Sequence, residues 1–273
     1  LLQTPAVLYC AIDSLVPQRG KIQPGFDEFS AALDHAGVPV VWVTNRSRLQ
    51  IDEARRKIGH QHPFIAEGGC GIYLPEGYFH LPLDKTMRLG RFTCMPVAES
   101  LPAASQALED LSRDLDVPVV PLRSLSPREL MQNTGLPRPL AELVRHRDFD
   151  ELFFFAGASE EDIRGFATKA VERRVQLRRE AALWSLAAGA SLKRCVLELS
   201  KLYSRALRSH PKVVGMATAE SAGELFAACN RNVLLKRRTG DEDAGPDAGK
   251  AREVSLADPE VWDHLLESIV TGT

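Results

Sequence analysis

The chain has 273 residues, 44% of them apolar and 26% charged, enough for one large domain or a domain carrying a sizeable insertion. A net charge of −2 gives no basic footprint for nucleic acid, and no apolar run approaches the roughly 18 residues that span a bilayer. The five cysteines (Cys10, Cys70, Cys94, Cys195, Cys229) are odd in number and widely spaced, which argues against a disulfide framework or zinc site and for reduced thiols in a cytoplasmic protein.

The opening LLQTPAVLYC lacks the basic region of a secretion signal. It also lacks an initiator Met, as expected of a trimmed chain or a domain cut from a longer polypeptide. Residues 6–12 (AVLYCAI) read as a strand buried on both faces, followed by an amphipathic helix over 25–36 that Gly37 ends. VPVVWVTNR is a second buried strand and SRLQIDEARRKIG a second helix, closed by Gly59. His60 and His62 in GHQH read as two solvated imidazoles in a loop rather than metal ligands. PFIAEGGCGIYLP follows as strand, glycine turn and strand. Strand–helix–strand alternation predicts an α/β fold with a right-handed parallel sheet.

The middle of the chain, 89–187, reads as an inserted α+β domain. Its expected pieces are a helix in SLPAASQALEDLSRDL, a strand in FDELFFFAG and a helix throughout EEDIRGFATKAVERRVQLRREAAL. The second helix would carry Arg173, Arg174, Arg178 and Arg179 on a solvated face. The α/β pattern then resumes with the helix SLKRCVLELSKLYSRAL, the strand KVVGMA, the helix AESAGELFAAC and the strand RNVLLKR. The first domain is therefore expected to be discontinuous, 1–88 with 188–273. Residues 239–250, rich in Gly, Asp and Pro, read as a surface loop, and a short helix with Trp262 closes the chain.

Three of these segments, PFIAEGGCGIYLP, NTGLPRPLAELVRHRDFDELFFF and SLKRCVLELSKLYSR, occur in an order that resembles the mannosyl-3-phosphoglycerate phosphatase group of the haloacid dehalogenase superfamily. The resemblance implies a Rossmann-like core with an inserted cap, and phosphate monoester hydrolysis on four motifs. In Asp-x-Asp-Gly-Thr the first Asp is the nucleophile and the second the general acid/base. A Ser or Thr binds phosphate, a Lys offsets its charge, and Gly-Asp-x-x-Asn-Asp helps hold magnesium, a hard cation that takes oxygen ligands.

Laying CAIDSL on the first motif puts Cys10 at the nucleophile, Ile12 at the acid/base, Asp13 at the glycine and Ser14 at the threonine. Thr44 and Lys193 match the second and third motifs. At the fourth, Ala217 and Thr218 stand for Gly-Asp, and Ser221 and Ala222 for Asn-Asp. Every motif acid is thus replaced, while the phosphate-binding set Ser14, Thr44 and Lys193 stays. A thiolate at Cys10 would lack the Arg six residues on that Cys-based phosphatases use, since that position is Val16. In the cap, Arg145, Arg147 and Asp150 are candidates to face the cleft or to form ion pairs beside the cap strand; Trp184 keeps an aromatic of the substrate-binding segment, while Ala182 stands at its arginine.

The expectation is an inactive phosphatase-like protein with a binding or regulatory role, needing no cofactor. Its partners would be a sugar phosphate or other anion, and another protein or a fused enzyme domain, with neither nucleic acid nor membrane. The alternative is an active magnesium-dependent sugar-phosphate phosphatase whose site has moved to Asp13, Glu220 and Glu224.

Overall fold

The structure, a computed structural model, describes residues 5–180, 183–237 and 251–271. The loop expected at 239–250 lies outside the described residues. In chain order the first elements are β1 (Ala6–Ala11), α1 (Phe26–His35), β2 (Val40–Val43), α2 (Arg48–Ile58), β3 (Phe64–Ala66), β4 (Gly71–Pro75), β5 (Met87–Leu89) and β6 (Phe92–Pro96). Next come α3 (Leu101–Leu115), β7 (Val119–Pro121), α4 (Pro127–Thr134), α5 (Arg138–Arg145), β8 (Glu151–Phe155), α6 (Glu160–Glu172), β9 (Val175–Glu180) and β10 (Leu183–Ala188). The chain continues with α7 (Leu192–Leu207), β11 (Lys212–Thr218), α8 (Ala219–Phe226), β12 (Arg231–Lys236), β13 (Arg252–Ser255) and α9 (Val261–Thr271).

Nine strands form one sheet in the order β13-β12-β11-β1-β2-β3-β4-β6-β5. It is parallel from β13 to β3 and antiparallel from β3 to β5. β1 is central, with Cys10 opposite Met216 on one side and Trp42 on the other. Alternate side chains of a strand leave on opposite faces, so β1 feeds two cores. Ala6, Leu8 and Cys10, with Ile12 just beyond the strand, pack against α1, α2 and α9 through Phe26, Phe29, Ile51 and Leu265. Val7, Tyr9 and Ala11 face α7 and α8 through Leu199, Tyr203 and Phe226.

β7, β8, β10 and β9 form a separate antiparallel sheet. α3 and α6 pack with it through Leu108, Phe153 and Phe166, and α4 and α5 through Leu130, Val144 and Leu152. The boundary expected at 88/89 falls inside the β5–β6 hairpin, whose strands both pair within the large sheet. Residues up to Pro96 therefore stay with the core.

Arg178 and Arg179 belong to β9, not to a helix: α6 stops at Glu172, and Arg174 turns the chain with φ of 58°. His60 and His62 are not solvated either. The His60 ring stacks on Trp42 at 4.2 Å, with Nε2 2.7 Å from the Val40 carbonyl, and His62 lies between Tyr78 and Asp34. Burial pushes the pKa of both imidazoles down. No helix among the described residues is long and apolar enough to cross a membrane.

Candidate functional site

The parallel strands end in a cleft between the two sheets, the usual place for a ligand in such folds. It has a volume of about 870 Å³ and is lined by Asp13, Asn45 and Arg46 from the core loops and by Thr134, Arg147 and Glu180 from the inserted domain. A cavity of about 280 Å³ beside it shares Asp13, Asn45, Arg179, Glu220 and Ser221, and adds Ala11, Thr44, Arg178 and Glu224.

Cys10 and Ile12 are not in this cleft. Both are fully buried in the core facing α1, α2 and α9, and burial holds the Cys10 thiol well above its ordinary pKa. A thiol kept neutral among apolar side chains is not a nucleophile. From the end of β1, Asp13 lines both cavities and Ala11 lines the smaller one. The register expected for the first motif is therefore corrected by one residue: the two positions that share the cleft face are Ala11, which has no functional group, and Asp13, which keeps a carboxylate. The correction follows from the period of two along a strand.

Asp13 is held by three donors. Thr44 Oγ1 and Arg46 Nε (2.8 Å) donate to its Oδ1, and the Asn45 backbone N–H donates to Oδ2 at 2.9 Å. The Arg46 backbone N–H donates in turn to Thr44 Oγ1 at 3.1 Å. Thr44 thus reaches the site as expected, but its hydroxyl hydrogen is already committed to Asp13.

The other expected phosphate ligands do not join it. Lys193 is exposed on the first turn of α7, and neither it nor Ser14 lines the two cavities. The Ser14 hydroxyl is buried without a hydrogen-bond partner. At the fourth motif, Thr218 caps the start of α8 with its hydroxyl buried and unpartnered, and Ala222 is in the core facing α7 and α8. Of the four positions matched to that motif, Ser221 lines the cleft. Glu220 lines it too, but Glu224 bridges Gln176 Nε2 of β9 (2.7 Å) and the Leu192 N–H of α7 (3.4 Å). Among the described residues no group of three or more His, Cys, Asp or Glu side chains could hold a metal ion. The residues at the magnesium positions, an alanine at each of two carboxylate places and a buried hydroxyl at the third, do not fit that cation.

The inserted domain is joined to the core by a buried polar network. Arg147 pairs with Asp150 through two bonds of 2.5 and 2.7 Å, both residues buried, and its Nη2 reaches across to the Asn45 carbonyl at 2.8 Å. Ser185 Oγ donates to Asp150 at 2.5 Å. Burial alone would raise the Asp150 carboxyl, but the Arg147 guanidinium holds it below its ordinary value. Arg145, by contrast, stays within the inserted domain, paired with Glu142 at 2.5 Å and donating to the Leu125 carbonyl at 3.3 Å. Ala182 lies outside the described residues, and Trp184 packs on Phe155 with ring centroids 5.4 Å apart.

Glu67 and Arg178 complete the junction, and neither was singled out for this role from the sequence. Glu67 accepts from the backbone N–H groups of Asp148, Phe149 and Asp150 at 2.9, 2.8 and 3.1 Å. Burial, and then the Asp150 carboxylate, push its pKa up to about 8. Arg178 donates to the carbonyls of Gly68 and, at 2.9 Å, Glu67. The tight turn explains the glycine pair in EGGCG: a β-carbon at Gly68 would overlap the Arg178 guanidinium, and one at Gly69 would overlap the backbone of Leu192. Glu180, at the end of β9, is raised by burial to about 7, and its Oε1 has no partner.

No family model matches the chain. It is 21% identical over 258 residues to the glucosyl-3-phosphoglycerate/mannosyl-3-phosphoglycerate phosphatase of Methanococcoides burtonii, covering 90% of each chain. It is 22% identical over 188 residues to the enzyme of that name from Persephonella marina, covering 68% of this chain and 67% of that one. Among solved structures, a phosphatase of the haloalkanoate superfamily from Bacteroides thetaiotaomicron superposes with a TM-score of 0.65 at 15% identity, over 98% of this chain and 96% of that one. A haloacid dehalogenase-like hydrolase from B. subtilis gives 0.63 at 13% identity, over 96% and 98%. The chain thus has the haloacid dehalogenase fold with its inserted cap, and its sequence is similar to the mannosyl-3-phosphoglycerate phosphatase group.

Proposed function

We propose that this chain is a phosphatase-like protein without hydrolytic activity, whose core–cap cleft serves as a binding site in a regulatory or scaffolding role. The observation that carries the reading is Ala11: of the two cleft-facing positions at the end of β1, the one that would attack phosphorus is a methyl group. Phosphate monoester hydrolysis requires acceleration on the order of 10²¹-fold. General acid/base help supplies about 10²–10⁴ of that, and Asp13 is the one motif acid left to give it. The remainder belongs to a covalent nucleophile and a bound cation, and neither has side chains here. The cleft wall is polar and carries both signs of charge, Arg46, Arg147 and Arg179 with Asp13, Glu180 and Glu220, which suits a polar ligand such as a sugar phosphate.

The test is phosphate release from a panel of sugar phosphates that includes mannosyl-3-phosphoglycerate, with magnesium and with a chelator. No turnover in either condition supports the reading. Turnover that needs magnesium overturns it in favour of an active phosphatase built on Asp13 and Glu220, which share the cleft.

A further inference from the structure

A cavity of about 400 Å³, lined in part by Arg55, Arg56, His60, Glu76, Arg91 and Phe92, lies at the opposite edge of the core sheet from the cleft. His60 is tied to the carbonyl of Val40, where β2 begins, whereas Asn45, which lines the cleft, follows the end of that strand. α2 runs from one to the other: Gln50 lines the cleft near its start, and Arg55 and Arg56 line the cavity near its end.

Arg55 is 2% exposed, and its hydrogen-bond partners are neutral. Its Nε donates to His60 Nδ1 at 3.0 Å and its Nη2 to the His62 carbonyl at 2.5 Å. Among the described residues its buried Nη1 has no partner. The guanidinium lies over the rings of Phe64 and Phe92, 4.8 and 5.2 Å from their centroids. The neighbouring carboxylates are engaged elsewhere, Asp52 by Arg91 and Glu76 by Arg88. Burial pushes the Arg55 pKa down to about 10, so at neutral pH it is still a cation. His60 adds no charge, because its Nδ1 accepts from Arg55 and burial lowers its pKa. A buried cation without a bonded anion is costly, and at a cavity it points to a ligand that supplies the missing charge.

We propose that this cavity is a second binding site, for a small molecule whose phosphate group is held by Arg55, Arg56 and Arg91. Three guanidiniums in the lining face one carboxylate, Glu76, and their forked donors match phosphate oxygens. The last carbonyls of α2 oppose this with about half an elementary charge, less than a single arginine supplies. Pro75 and the Phe92 ring give an apolar wall for the rest of the molecule. The site does not depend on whether the cleft hydrolyses anything.

The experiment titrates inorganic phosphate and pyrophosphate into wild type, Arg56→Ala/Arg91→Ala, Arg55→Met and Arg46→Ala. Binding is followed by calorimetry and thermal shift, with chloride matched for ionic strength. Wild type is expected to saturate in the mM range or below, and both cavity variants should weaken that binding by about tenfold or more. Arg46→Ala, which alters the cleft, should leave it within about twofold. If Arg55→Met does not fold, the pair of rim arginines decides. No saturable binding by wild type, binding that the rim pair does not weaken, or binding that Arg46→Ala abolishes overturns the proposal.

Discussion

The two walls of the cleft treat carboxylates differently. On the cap–core junction Glu67 receives three backbone N–H bonds, and Asp150 receives two from Arg147 and one from Ser185. On the wall where the family does its chemistry, the corresponding places hold Ala11, Thr218 and Ala222, and the surviving acid, Asp13, is tied down by its neighbours. Acids remain where they join the two parts of the molecule, while on the other wall all the motif acids but Asp13 are replaced. The difference teaches that the groups that shape this cleft are not the groups that would react in it, which is why, on the function proposed above, a cleft can outlast its chemistry.

The sharpest break of this comparison is Arg147→Ala. It leaves the Asp150 carboxylate buried without its cation, which costs about 3–5 kcal/mol. Urea denaturation checks this, and a loss under about 1 kcal/mol would mean the junction is not structural. Glu67→Gln comes next. It keeps the side chain's shape but puts an amide N–H₂ against backbone donors, for an expected loss of about 1–3 kcal/mol by the same measurement.

On the other wall, at the end of β1, the effect should be smaller. Cys10→Ala trims a buried thiol and should cost about 1 kcal/mol, and Cys10 should resist alkylation in the folded protein; rapid labelling of Cys10 would refute its placement in the core. A pH-dependent effect concerns Glu180, whose pKa is pushed up by burial from 4.5 to about 7. It takes up a proton in the folded state between those values. Its contribution is therefore present in full below about pH 4.5 and is lost as pH rises through about 7. Glu180→Gln should flatten that part of the stability–pH curve, and a slope unchanged in the variant would assign it to other groups.

Much of the fold was legible in the sequence. The apolar runs at VPVVWV and KVVGMA, the glycine stop after α2 and the capped start of α7 lie where the periodicity places them. The site was less legible, for reasons of geometry. β1 is buried on both faces, so nothing in AVLYCAI marks which side chains meet the cleft, and the motif fell one residue out of step. β9 was hidden because VQLRRE directly follows a helix and carries three charges; its clue was the start at Val175 after a positive-φ residue, which shows only in the backbone. Arg46, two residues after Thr44, and Glu67, within PFIAEGGCGIYLP, have roles that their neighbours in the sequence do not reveal. Long-range partners decide what such residues do: Asp13 is 33 positions from Arg46, and Glu67 reaches 83 positions to Asp150.

The central claim, a cleft kept without its hydrolysis, is tested most directly by single-turnover phosphate release. Enzyme would be in excess over a sugar phosphate, with magnesium present and Asp13→Asn run alongside. We expect no release above buffer from either protein. Magnesium-dependent release by wild type that Asp13→Asn abolishes would contradict the account and make Asp13 a working catalytic acid.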